Sequence, residues 1–212
     1  MIRAAWLILL LAAVPALGQI QSYWGVRGGM TTVIQDNYSA YTDEEPNRYG
    51  WLLAVSRTLP LADWRSNKIV LEGQARHSTM RRFIPGAHAT MYANPNVKVH
   101  EFVLTPLFIH SVPVDQARFF VQAGPEISYV NLTFSTYNYD DTHWKDAGFS
   151  FNLGGGIIFP VGRDKEIVLD IRYNSDISDA VDGSGRNAPV GTRFDELHIL
   201  LGVNLSLDDE GY

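Results

Sequence analysis

Polar and apolar residues alternate along most of this chain with a period of two, and the 3.6-residue period of a helix is scarce. In Ile167-Val168-Leu169-Asp170-Ile171-Arg172-Tyr173-Asn174, one face carries Ile, Leu, Ile and Tyr and the other Val, Asp, Arg and Asn. Leu197, Ile199, Leu201, Val203, Leu205 and Leu207 share a face opposite His198, Gly202, Asn204 and Ser206. The pattern predicts eight strands: Tyr23–Val33, Tyr49–Leu59, Lys68–His77, His100–Val112, Arg118–Phe134, Ala147–Phe159, Ile167–Ser175 and Glu196–Leu207.

The connections alternate in length. Long ones are expected at Ile34–Arg48, Ser78–Val99, Ser135–Asp146 and Asp176–Asp195, short ones at Pro60–Asn67, Pro113–Ala117 and Pro160–Glu166. That rhythm belongs to an antiparallel up-and-down barrel with turns at one end and loops at the other. A Greek-key sandwich has no reason to adopt it. Pro106 and Pro125 each remove a ladder donor from mid-strand, so local bulges are expected there.

Alternation alone does not say which face points inward. A soluble lipocalin-like carrier has an apolar interior, and a membrane barrel reverses the faces. Three features favour the membrane. All four lysines (Lys68, Lys98, Lys145, Lys165) fall in connections or at strand starts, whereas a soluble exterior is rich in Lys. Phe119 and Tyr129, like Phe149 and Phe159, share a face ten residues apart. At ~3.3 Å per residue and a tilt of about 40°, that spacing covers roughly 25 Å, the height of a lipid-facing band between aromatic girdles. The apolar faces also carry no charge at mid-strand. The polar faces, holding Glu72, Arg76, Glu101, Arg118, Gln122, Glu126, Asp170 and Arg172, then become a lumen network. Eight strands leave an interior that side chains fill, so these charges should pair across a closed lumen.

Met1-Ile2-Arg3, the apolar run Ala4–Val14 and Pro15-Ala16-Leu17-Gly18 have the charged, apolar and small-residue regions of an export signal cut after Gly18. Residues 19–212 would be the barrel domain. Loss of Arg3 would take the net charge from −6 to −7. Such a charge argues against nucleic acid as a partner. The absence of Cys excludes disulfides, thiolate metal sites and a Cys nucleophile.

The segments Val26-Arg27-Gly28-Gly29-Met30, Glu101–Leu107, Phe120–Pro125 and Leu169–Tyr173 give the chain a resemblance to the small outer-membrane β-barrels of Gram-negative bacteria, in particular the PorT-like eight-stranded group. Gly202-Val203-Asn204-Leu205-Ser206-Leu207 resembles the C-terminal recognition signal of such barrels, with Leu in place of the usual aromatic. The resemblance implies insertion by the outer-membrane assembly machinery, contact with outer-membrane lipids and lipopolysaccharide, and a monomeric barrel.

Some barrels of this kind modify lipid A through a His-x-Ser-Asn segment with a Glu orienter. The nearest match is Asp176-Ile177-Ser178-Asp179-Ala180, where Asp stands in the His position and the nucleophile lacks its base. His77-Ser78 and His110-Ser111 point to opposite faces and form no dyad. His88, His100 and His143 are read in or beside loops without ligand spacing, so no metal site and no cofactor are expected. The acidic groups Asp43-Glu44-Glu45, Asp140-Asp141 and Asp176/Asp179/Asp182 read as a solvated loop surface, and Tyr38, Tyr41, Tyr137, Tyr139 and Trp144 as rim aromatics. The expectation is a non-enzymatic outer-membrane barrel presenting long external loops, for envelope integrity, surface binding or adhesion. A narrow pore, a lipid A-modifying hydrolase and a soluble periplasmic carrier are its rivals.

Overall fold

The computed structural model describes residues 23–36, 49–60, 66–81, 96–136, 139–162, 164–177 and 194–206. They form eight strands: β1 (Tyr23–Asp36), β2 (Tyr49–Pro60), β3 (Asn67–Arg81), β4 (Asn96–Val114), β5 (Ala117–Thr136), β6 (Tyr139–Pro160), β7 (Lys165–Asp176) and β8 (Phe194–Ser206). Each pairs antiparallel with its neighbour in sequence, and β8 closes on β1, so the sheet has no free edge. In β7 exposure alternates residue by residue from Lys165 to Asn174, as the sequence period requires.

The outside is the apolar face. Val26, Met30, Leu53, Phe102, Val121, Ile127, Leu153, Ile171 and Leu201 all point away from the lumen and are exposed. Phe119, Tyr129, Phe149 and Phe159 lie on this surface too, with Trp51 and Tyr49 near the loop end. Among charged residues on this side, Arg57 lays its guanidinium 5.5 Å from the Trp24 ring close to the turn end, the position of an interfacial cation with a long apolar stem. A soluble carrier would need the opposite assignment of faces.

The turn end is tight. Val114 pairs with Ala117, leaving the two-residue hairpin Asp115-Gln116, with Asp115 at φ 51° in the left-handed region that such turns require. Gly162 supplies the positive φ of the β6–β7 turn.

Three expectations need correction. The segment Ser135–Asp146 is no long loop: β5 and β6 continue through it and Thr136 pairs with Tyr139, leaving only residues 137–138 between them. The apolar-polar contrast fades beyond the lipid because neither face is buried in it, while ladder hydrogen bonds can continue. For the same reason β4 begins at Asn96 instead of at His100, and His143 falls in β6. The prolines make no bulge. Pairing of β4 with β5 keeps one register on both sides of them, from Leu104–Ile127 to Phe108–Ala123, so Pro106 and Pro125 stand opposite each other. Their missing donors therefore fall at a single place on one seam, while Leu71–Pro106 and Pro125–Phe151 pairing continues on the outer flanks. The seam is close there: a Cβ on Gly124 would collide with the Pro106 carbonyl oxygen. The register shifts that do occur are at the loop end, between Val33 and Gln35 and between Phe134 and Thr136.

Candidate functional site

The lumen divides along its axis. At mid-height, Arg27 of β1 and Arg172 of β7 face Glu72 of β3 and Asp170 of β7, all buried. Arg27 Nη1 donates to Glu72 Oε2 (3.2 Å) and to Asp170 Oδ2 (3.0 Å). Arg172 Nη2 reaches Glu72 Oε2 (3.0 Å) and Asp170 Oδ2 (2.6 Å), with a further bond from its Nη1 to Glu72. Gln74 donates to Glu72 (2.8 Å) and Gln122 to Asp170 (2.7 Å). Two guanidinium groups thus meet two carboxylates, and the remaining carboxylate lone pairs receive amide donors. That is the condition under which buried charge is tolerated.

Towards the loop end the balance changes. Arg76 is 2.7 Å from Glu126, 3.6 Å from Glu101 and 3.7 Å from Glu196. Its Nε donates to Gln74 Oε1 (2.8 Å), so Gln74 joins this cluster to the central one. Among the described residues, this one guanidinium bridges all three carboxylates. Asn174 Nδ2 and the Thr105 hydroxyl donate to Glu126, and the Thr31 hydroxyl to Glu196. Asp176, Ser128 and Ser150 join Arg76 and these glutamates around a recess of about 10 Å³, room for one water.

Below the centre the lumen becomes apolar: Val70, Leu107, Ile109, Phe120, Ile158 and Val168 pack together. Arg118 pairs with Glu166 beyond this plug, and Asn204 also donates to Glu166 (3.1 Å). The eight residues singled out from sequence therefore lie at three levels. Glu72, Gln122, Asp170 and Arg172 are central, Arg76, Glu101 and Glu126 are near the loop end, and Arg118 is at the turn end.

Sequence reasoning missed Arg27, Glu166 and Glu196 as lumen residues, while His198 lies on the lumen face to which the alternation of the last strand assigned it. The signal for Arg27 was charge count. The seven charged residues singled out comprised four carboxylates and three arginines, one cation short, and Arg27 shares its strand face with Thr31. His198 is fully buried, with Nε2 2.9 Å from Glu196 Oε2. This is a base with its orienting carboxylate, but an imidazole with no exposed surface gives an acyl chain no approach. Asp176, in the base position of the lipid A-hydrolase pattern, lies on the recess wall. Ser178, Asp179, His88, Asp43-Glu44-Glu45, Asp182, Tyr38, Tyr41, Tyr137, Leu207 and the proposed signal Met1–Gly18 lie outside the described residues.

On the outer surface the structure brings together two histidines that the sequence kept apart. His77 of β3 and His100 of β4 are register partners, with Nδ1 atoms 3.3 Å apart and ring centroids 4.4 Å apart. Trp51 of β2 packs on His77 at 5.7 Å. His110 is bonded instead to Asn67 (2.8 Å) near the turn end. Among the described residues, no group of three or more His, Asp and Glu side chains could hold a metal ion.

A closed eight-stranded antiparallel barrel with an apolar outside and a charged inside is an outer-membrane β-barrel, and solved outer-membrane proteins are among the structures that this chain is similar to. A major outer membrane protein of Thermus thermophilus superposes with a TM-score of 0.56 at 12% identity, covering 88% of this chain and 99% of that one. Neisserial surface protein A gives 0.52 at 10% identity, covering 88% and 97%. The outer membrane protein OprG of Pseudomonas aeruginosa gives 0.51 at 10% identity, covering 90% and 98%. At such identities the likeness is one of fold. No family model matches the chain, and no curated protein does.

Proposed function

We propose that this protein is a non-enzymatic outer-membrane barrel that acts through its loop end, in envelope integrity, surface binding or adhesion. The observation that carries this reading is the filled lumen. Arg172, Leu107, Leu200, His198, Gln122, Glu72 and Glu126 are among its largest fully buried side chains, and they leave the barrel wall as a support for whatever the loops present. Its partners in this reading are outer-membrane lipids and lipopolysaccharide around the apolar belt, the outer-membrane assembly machinery during insertion, and no second copy of the chain. The narrow-pore reading would need an opening through the lumen.

The test is to replace residues 178–193 by a two-residue turn and compare cells expressing each form. Both forms should be inserted and should migrate faster on gels when unboiled. Only the full-length form should alter detergent resistance or surface adherence. Equal phenotypes for both forms would count against the proposal. Stable ohmic steps in planar bilayers would replace it with the pore, and a shift in lipid A mass on overexpression with the hydrolase.

A further inference from the structure

We infer that His77 and His100 form a cross-strand chelate for a borderline divalent metal ion, with Zn²⁺ the best fit, on the outer surface of the barrel near its loop end. The two side chains come from adjacent antiparallel strands at one register position, so the backbone ladder fixes their separation. Both are on the exposed side, which spares an incoming dication the cost of entering the lumen. Trp51 packs against the His77 ring and restricts its orientation.

The distance selects the metal geometry. A tetrahedral Zn²⁺ with Zn–N bonds of about 2.0–2.1 Å holds two of its nitrogens about 3.3–3.4 Å apart. The two Nδ1 atoms stand 3.3 Å apart before any ion is bound, and the rings, with centroids 4.4 Å apart, need to splay to about 5 Å to aim both lone pairs at one ion. Two facing Nδ1 atoms at this distance have room for one proton between them. At least one therefore offers a bare lone pair when the pair is neutral, and a metal ion takes the place of that shared proton. Two imidazoles leave two tetrahedral positions to water, which makes this an open site. Imidazole nitrogen suits Zn²⁺, Cu²⁺ and Ni²⁺, whereas Ca²⁺ and Mg²⁺ want oxygen.

Isothermal titration of the tag-free, EDTA-washed barrel in detergent micelles with ZnCl₂ tests the assignment. One Zn²⁺ should bind per barrel. His77→Ala and His100→Ala should each weaken binding at least tenfold, and His110→Ala should leave it unchanged. CaCl₂ and MgCl₂ should give no heat. Faster migration of unboiled samples verifies that each variant is folded, and His77→Gln or His100→Gln replaces any alanine variant that is not. Bound Zn²⁺ should also raise the unfolding temperature of the wild-type barrel and not of the His100 variant, because the ion ties β3 to β4 only in the folded state. Absence of Zn²⁺ binding by the wild type would overturn the inference. So would wild-type affinity in the His77 and His100 variants, which would move the ligands to His88, His143 or elsewhere.

Discussion

The middle and the lower third of the lumen solve the same packing problem by different means. At mid-height Arg27, Arg172, Glu72 and Asp170 fill the barrel with paired charge, while towards the turn end Val70, Leu107, Ile109, Phe120, Ile158 and Val168 fill it with hydrocarbon. Both regions close the lumen. They differ in how failure would spread: a lost methyl group leaves a local cavity, whereas a lost guanidinium leaves carboxylates stranded in a poor solvent. The charged region is therefore the more brittle one.

The strongest test of that contrast is Arg172→Ala. Glu72 and Asp170 would keep only Arg27 between them, and removing one partner from a buried ionic cluster costs about 3–5 kcal/mol. Urea unfolding of the folded barrel, followed by tryptophan fluorescence, measures it. Leu107→Ala in the plug should cost about 3 kcal/mol by loss of transfer energy and creation of a cavity. A larger loss at Leu107 than at Arg172 would reverse the ranking of the two regions.

A double substitution sharpens the comparison. Glu72→Met with Arg172→Met removes one charge of each sign and leaves Arg27 facing Asp170 at 3.0 Å. Its cost should fall short of the sum of the two single variants by about 1–3 kcal/mol, since the second change removes the charge stranded by the first. Strict additivity would mean that these groups are solvated independently.

These two regions were not equally visible in the sequence. The central cluster could be read because Glu72, Asp170 and Arg172 interrupt otherwise apolar alternation, and a charge on a membrane strand has one tolerable side. The plug could not, because the inward face of β4 carries Val99, Val103, Leu107 and Ile109 while Phe102, Leu104 and Phe108 occupy the other face, so both sides are apolar. Arg27 was obscured for a different reason: among Gly25, Gly28 and Gly29 there is little alternation against which to assign a face. The His77–His100 contact is a property of register between strands, and a single chain read strand by strand holds no register. The two facing prolines show the same thing. Each read alone demands a bulge, but placed opposite one another they share one interruption.

Smaller effects are expected where water reaches the charges. Arg118 is 27% exposed by side chain and pairs with Glu166, which Asn204 also serves. Arg118→Ala should cost about 1 kcal/mol or less, the range of ion pairs near solvent. A loss comparable with that of Arg172→Ala would show that exposure at the turn end does not relieve the remaining carboxylate.

The smallest expected effect is at the proline seam beside the plug. Pro125→Ala restores an N–H on β5, and the Pro106 carbonyl, which already faces that strand, becomes its acceptor. One recovered hydrogen bond contributes about 0.5–1.5 kcal/mol. Against it stands the extra freedom that the unfolded chain gains when a proline is removed, about 0.4–1 kcal/mol. The two nearly cancel, so the urea midpoint should move little in either direction. Gly124 must stay as it is, because its close approach to β4 is what brings the new donor within reach. A marked loss of stability in Pro125→Ala would mean that the fixed backbone angle of the proline shapes the seam, and that the close packing of Gly124 beneath Leu107 depends on it.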